Sequence, residues 1–270
     1  MSNEEYQKHL YDLIEFYCQY DNTLAKEKIN IEVRVAPNIY EAILKCNLTE
    51  NERKGFIEQK HIVEQHSGHI LYPNDIRKDF IVFIASEQFE KELLYVMTLF
   101  HELTHLIDFY NFSKEYCNGN YIDIENAKEF PMFYYWTEYH AKKVSYQLYR
   151  KYLNDVVKMD MNSTEIVEHM ETTEVEYQNN NLLKQLNDSA DNFTQQMYFS
   201  LHYLARYSVW EELDEEWFKD GKQFPYWLDI TFNGKIKELY NLMKQMIDFN
   251  SAKDRFNELE KILRFLAKVD

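Results

Sequence analysis

The chain has 270 residues, of which 45% are hydrophobic and 16% aromatic, a composition that supports a substantial core and excludes a disordered chain. Its formal net charge of −16 would repel a phosphate backbone, so we expect a protein or peptide partner and no nucleic acid. The N-terminal stretch MSNEEYQKHL lacks an apolar signal core, and no apolar run is long enough to span a bilayer. These features predict a cytoplasmic protein without membrane contact, and they indicate no particular oligomeric state.

Cysteine, glycine and proline are all scarce. The three cysteines, Cys18, Cys46 and Cys117, are odd in number and lack CxxC spacing, which predicts reduced thiols and excludes a disulfide framework. Only five glycines and four prolines interrupt the chain, so long helices with short connections are favoured over a sandwich or barrel.

The first part of the chain mixes helix and strand patterns. Hydrophobic periodicity predicts, in order, an amphipathic helix over Glu4–Tyr20, a strand over Ile29–Val35, a short helix over Tyr40–Cys46, a largely β segment over 55–73 with GHILYP as its best strand, and a buried strand over Phe80–Ala85. Two long helices are expected next, over Glu87–Tyr110 with Ser86 as cap and over Met132–Leu153, with a turn at Cys117–Asn120 between them.

Beyond Asp155 the pattern is almost wholly helical. We expect helices over Ser163–Tyr177, Asn181–Glu212, Gly234–Phe249 and Ser251–Lys268. The sequence therefore predicts an α+β domain over residues 1–158, followed by an all-α C-terminal region over 159–270. The two parts could also form one domain.

The stretch FHELTHLIDF places charged and polar side chains in a helix that is apolar on every side. Burying such groups costs several kcal/mol unless they are paired or bind a metal. His101 and His105 are four residues apart, so both rings project from one face and can reach one zinc ion. Glu102 lies on the flank of that face, where it can act as general base without binding the metal. The alternative is a pair of core histidines satisfied by hydrogen bonds.

A catalytic zinc site needs a third protein ligand. The continuation HExxHxxGxxH is absent, because Asp108 and Asn111 stand where the glycine and third histidine would be. Glu138, on the following helix, is the predicted third ligand, and the small Ala141 lets that helix approach closely. Asp108 shares the face of the two histidines, and we expect it to orient an imidazole, with metal ligation as the alternative.

A further donor is expected to stabilise the developing oxyanion. Tyr134 and Tyr135 precede Glu138 on its face, and His140 is two residues beyond it. Tyr135 and His140 are therefore candidate catalytic residues, although a packing role is the alternative for each.

These motifs together resemble the gluzincin zinc metallopeptidases, and within them the ImmA/IrrE family of bacterial and phage proteins. That family pairs FTxAHExGH after a strand with a downstream ExxAxxFA, and this chain has MTLFHELTH and EYHAKKVSY. The match is carried by Thr98, His101, Glu102, His105, Glu138 and Ala141. The departures are Met97, Phe100, Thr104 and the pair Val144-Ser145, and the resemblance covers residues from about 30 to 153.

The resemblance implies a small zincin-like sheet, an HExxH active-site helix, a second Glu-bearing helix and bound Zn²⁺. It also implies hydrolysis of a cytoplasmic protein, such as a repressor that controls phage or mobile-element genes. A substrate peptide could add to an edge of the sheet, offered by Phe80–Ala85 or a strand beside it. Two alternatives remain: a non-catalytic interaction protein on a zincin scaffold, and a metallopeptidase-like toxin or effector.

Two further patterns in the sequence are weaker. His61, His66 and His69 cluster closely enough for a second metal site, but a polar loop before a strand is favoured. The aromatic helix over Met197–Trp210 could form a partner-binding groove or a lid, but its helical spacing favours a bundle core.

Overall fold

The computed structural model describes residues 3–91, 93–122, 124–218 and 224–267. It is mixed α+β and mostly helical, with one three-stranded sheet among the described residues, which confirms the predicted α+β class. The chain divides into two compact units, Met1–Ile124 and Glu125–Asp270. None of the described helices has the length and apolar character needed to cross a membrane.

The first unit contains the sheet, built from β1 (Ile31–Ala36), β2 (Gly68–Leu71) and β3 (Phe80–Ala85). Its strand order is β1-β3-β2, with β1 parallel and β2 antiparallel to β3. All six residues of β3 are buried, because the strand is central and covered on both faces. The continuous apolar run is thereby explained. The edges of the described sheet are β1 and β2, so the expectation that Phe80–Ala85 itself offers an edge is wrong.

One face of the sheet packs on short helices. Their core cluster includes Ile39, Ile43 and Val63 against Ile81 and Phe83. The α-helices of this unit are Asn3–Tyr20, Thr23–Lys26, Ile39–Leu44, Glu50–Glu58, Lys60–Val63 and Leu94–Tyr116, with a 3₁₀ helix over Ser86–Glu90.

The prediction of a largely β segment over 55–73 is wrong except for its strand. A helix over Glu50–Glu58 begins at a capping box, in which Thr49 and Glu52 satisfy each other's backbone N–H groups. This T-x-x-E pattern is a recognised helix start. The start of this helix, at Thr49 and Glu52, precedes residue 55 and so lies outside the range that was predicted to be β.

The helix that carries FHELTHLIDF, called here the HELTH helix, runs from Leu94 to Tyr116. It starts later than the predicted Glu87, and Ser86 begins a separate 3₁₀ helix. Between them Leu93 has a left-handed backbone, with φ of 65°. The Phe89 ring stacks on Tyr95 with centroids 4.3 Å apart, so an aromatic contact joins the 3₁₀ helix to the first turn of the HELTH helix.

The second unit is helical throughout its described residues. Its α-helices are Phe130–Tyr152, Thr164–His169, Val175–Asp188, Phe193–Leu213, Glu215–Phe218, Tyr226–Thr231, Ile236–Gln245, Phe249–Lys253 and Phe256–Leu266, and π-helical turns cover Leu153–Val157 and Met170–Glu174. The predicted single helix over 181–212 is wrong. It is two helices, because Asn192 caps a new start by accepting a hydrogen bond from the Gln195 N–H.

We call Phe130–Tyr152 the Glu138 helix and Phe193–Leu213 the His202 helix. These two pack along one another more extensively than any other helix pair described in the second unit. The indole N–H of Trp136, on the Glu138 helix, donates to the Met246 carbonyl at 2.9 Å. The predicted boundary near residue 158 therefore falls inside this unit, since the Glu138 helix belongs to the bundle. The three cysteines are free thiols, as predicted.

Candidate metal centre

His101 and His105 lie one turn apart on the HELTH helix, as the four-residue spacing predicts. Their Nε2 atoms are 3.0 Å apart, and the two rings are nearly perpendicular. Two nitrogens bound to one tetrahedral zinc ion at about 2.0–2.1 Å would be roughly 3.3 Å apart. The pair therefore fits a shared metal with a shift of a few tenths of an ångström.

The HELTH helix is largely buried along the turns that carry the two histidines. Four apolar side chains of this helix are fully buried, namely Leu99, Phe100, Leu103 and Leu106. His105 is also buried. Asp108 is only 2% exposed on the same helix, so its carboxylate lies in the same low-dielectric environment. Its predicted role in orienting an imidazole stays a prediction. A charged group buried this deeply has to be paired or hydrogen-bonded, or bind a metal ion.

Glu102 lies against β2. A Cβ atom added at Gly68 would come within 2.6 Å of Glu102 Oε1 and 2.8 Å of its Cγ, closer than real Cβ contacts allow. The same atom would also meet Thr98 Cγ2 at 2.8 Å. Gly68 therefore leaves the space that the Glu102 side chain occupies, beside the edge strand of the sheet.

Glu138 is half-buried in the middle of the Glu138 helix. Its Oε2 atom lies 3.0 Å from Nε2 of His202, on the neighbouring helix. Burial first, and then the positive charges of Lys142 and Arg206, hold the pKa of His202 well below its usual range. A neutral His202 that donates its Nε2–H would fix the position of the Glu138 carboxylate without neutralising it.

One ligand atom from each of His101, His105 and Glu138 lies within 4.8 Å of the others. Two imidazoles and a carboxylate are a ligand set that catalytic zinc takes, with a fourth position left open. Among the described residues this is the one group of three or more His, Cys, Asp or Glu side chains close enough to hold a metal. The donor chemistry of these three side chains suits a zinc ion.

The candidate oxyanion donors lie in two environments. His140 stacks on the buried Trp136 ring with centroids 4.8 Å apart, on a different face of the helix from Glu138. Tyr134 is partly buried, and burial followed by the nearby Glu138 charge raises its pKa. Tyr135 packs against Tyr134 with ring centroids 5.8 Å apart. The catalytic roles of Tyr135 and His140 stay predictions.

His202, Lys142, Arg206 and Gly68 were not singled out from the sequence. The available signal was spacing, since Glu138 and Lys142, like His202 and Arg206, are four residues apart on largely buried helices. By contrast, the His61, His66 and His69 cluster forms no three-residue metal group among the described residues. His66 and His69 approach through their Nδ1 atoms at 3.3 Å, and burial lowers the pKa of His69 to about 3.

Comparison of the chain with protein-family models, with curated proteins and with solved structures gave no match. The residues and their geometry therefore carry the functional inference.

Proposed function

We propose that the chain is a zinc-dependent endopeptidase of the gluzincin type, most similar to the ImmA/IrrE family. The observation that carries the proposal is the grouping of one ligand atom each from His101, His105 and Glu138, with both histidines on a largely buried HExxH helix. Zinc would be held by these three side chains. The three free cysteines suit the reducing cytoplasm that we propose as its compartment.

When bound, zinc supplies a Lewis acid that makes a water molecule acidic near neutral pH and polarises a carbonyl group. The chain's own residues would then move the proton. Glu102 accepts it at a carboxylate oxygen and returns it to the leaving amine. His202 holds the Glu138 carboxylate at 3.0 Å, which keeps this ligand in place.

The substrate would bind as an extended peptide along the free edge of β2. This strand is at the end of the described sheet, and its Gly68 borders Glu102. A peptide that adds to the β2 edge gains backbone hydrogen bonds and passes the proposed general base. Because Gly68 has no side chain, Glu102 can lie directly beside the strand to which the peptide would add.

A cytoplasmic regulatory protein is the substrate class that the resemblance implies, in particular a repressor of phage or mobile-element genes. The net charge of −16 supports this assignment, because a DNA-binding repressor is usually basic and would be attracted to an acidic enzyme.

The test is Glu102→Gln, which keeps the size of the side chain but cannot accept a proton. We expect the variant to retain about one zinc ion per chain and to lose hydrolysis of a peptide library by roughly 10²–10⁴-fold or more. Zinc would be measured by elemental analysis, and cleavage by mass spectrometry. Glu115→Gln, an exposed change on the same helix, is the matched control and should leave cleavage unchanged. Undiminished activity of Glu102→Gln would instead favour a non-catalytic scaffold.

A further inference from the structure

A polar cavity of about 350 Å³ lies within the second unit, where three helices meet. The Glu138 helix contributes Lys142, and the His202 helix contributes His202 and Arg206. The helix Val175–Asp188 contributes the amide side chains of Gln178, Asn181 and Gln185. A cavity of this volume is in the range of small-molecule sites.

The charge of the lining is opposite to that of the chain as a whole. The full sequence has 46 acidic and 30 basic residues, yet none of the described residues that line this cavity is acidic. Two of them, Lys142 and Arg206, are cationic, and the remaining polar groups are amides, phenols and one imidazole. Such a lining repels cations and attracts anions.

Arg206 is held in place but is not fully satisfied. One of its terminal nitrogens donates to the Gln178 side-chain oxygen, and its guanidinium lies 5.7 Å from the centroid of the Tyr146 ring. Its Nε atom is buried and has no hydrogen-bond partner within the described part of the chain. A buried guanidinium nitrogen without an acceptor is unfavourable, and a ligand oxygen would relieve it.

Lys142 is the second cation of the lining and is partly buried. No ion pair or side-chain hydrogen bond of its ammonium group is found among the described residues. Burial first, and then the charge of Arg206, lower its pKa to about 7, although the Glu138 carboxylate opposes this shift. A further negative charge in the cavity would stabilise both cations.

We propose that this cavity binds a small organic anion, with a carboxylate or phosphate group against Lys142 and Arg206. The amide side chains from Val175–Asp188 can donate to the remaining oxygens. The aromatic rings of Tyr198 and Phe199, which also line the cavity, can pack against the organic part. His202 is the cavity residue that also contacts Glu138, so the bound anion would lie one side chain away from the proposed metal ligand.

The experiment measures binding of inorganic phosphate and of benzoate to the full chain by calorimetry, at constant ionic strength and after metal has been removed on a chelating resin, so that no soluble chelator competes for the cavity. Removing metal keeps this test separate from the proposed peptidase function, which can fail without affecting it. We expect saturable binding of at least one probe, and the tighter probe identifies the class of anion. Lys142→Met and Arg206→Gln should each weaken it by about 10- to 100-fold.

Arg264→Gln is the matched control, because it removes one positive charge from an exposed side chain outside the cavity. It should bind the probe like the parent chain. Lys142→Met removes the charge of a partly buried side chain and is expected to fold even if Arg206→Gln does not, which circular dichroism would check. Absence of saturable binding of both probes would overturn the proposal, and so would binding that Lys142→Met leaves unchanged.

Discussion

The HELTH helix and the His202 helix are similar in length and burial, but only the HELTH helix contains a sequence motif that indicates its chemistry. They have 23 and 21 residues, both are buried over most of their surface, and both carry polar side chains four residues apart in an apolar run. On the first the pair is His101 and His105, which belong to a known motif. On the second it is His202 and Arg206, which belong to none.

The difference shows what a sequence motif tells the reader beyond the cost of burying a titratable side chain. In both helices a titratable side chain at a largely buried position needs a partner. For the HELTH helix the spacing and the intervening Glu102 indicate a metal as that partner. For the His202 helix the partners are Glu138 and the Val175–Asp188 helix, which lie elsewhere in the sequence. The same cost therefore indicates a site in both cases, but only the motif indicates its chemistry.

The largest expected effect is on metal content. His101→Ala removes one of three proposed ligands and leaves the site with too few for tight binding, so the purified variant should lose its zinc. His105→Ala should do the same. His61→Ala, an exposed histidine in the helix Lys60–Val63, is the control and should retain about one zinc ion per chain. A parent chain without zinc after growth in zinc-replete medium would disprove the metal site.

The next comparison separates ligand from supporting residue. Glu138→Ala should abolish or greatly weaken zinc binding. Asp108→Asn and His202→Gln should each weaken zinc binding by about 10–100-fold, as is usual for residues that hold a metal ligand in place. Competition with a zinc chelator gives the affinities. If Asp108→Ala abolished binding while Glu138→Ala left it unaltered, Asp108 would be the third ligand.

Features that depend on nearby residues could be predicted from the sequence, whereas features that depend on residues far along the chain could not. β3 was predicted at its observed bounds, because six consecutive apolar residues report burial directly. The start at Leu94 was missed, since it depends on Phe89 packing against Tyr95. Gly68 was missed because its significance is its contact with Glu102, which lies far along the chain and becomes a neighbour only through the sheet. The proximity of His101 and His105 was predicted, because the two residues are one helical turn apart.

Gly68 and Gly55 provide a test of that contact in terms of stability. Gly68→Ala should destabilise the fold by about 1–3 kcal/mol, because Glu102 and Thr98 must move to admit the methyl group. Peptide hydrolysis should fall with it, since the proposed general base is displaced. Gly55→Ala meets nothing within 4 Å in the helix Glu50–Glu58, and should stabilise by roughly 0.5–1 kcal/mol. Equal effects in denaturant unfolding would contradict the contact.

The last prediction compares one buried hydroxyl on each of the two helices. Thr104 Oγ1 donates to the Phe100 carbonyl at 2.8 Å, so at 3.0 Å it accepts from the Tyr17 hydroxyl, whose pKa burial raises well above the usual value. Thr104→Val should cost about 1–3 kcal/mol, because the Tyr17 hydroxyl loses its acceptor in the core. Ser208 Oγ donates to the Ala205 carbonyl of its own helix at 2.7 Å, and its contact with the Tyr139 hydroxyl is not a full hydrogen bond, since that hydroxyl has no hydrogen-bond partner within the described residues.

Ser208→Ala should therefore cost less than Thr104→Val, and neither change should alter zinc content. A double-mutant cycle of Thr104→Val with Tyr17→Phe, followed by urea unfolding, isolates the shared bond. The double variant should be nearly as stable as Tyr17→Phe alone, since the phenol that Thr104→Val leaves unsatisfied is then absent. Additive losses would instead show that Thr104 acts through its own helix, as Ser208 does.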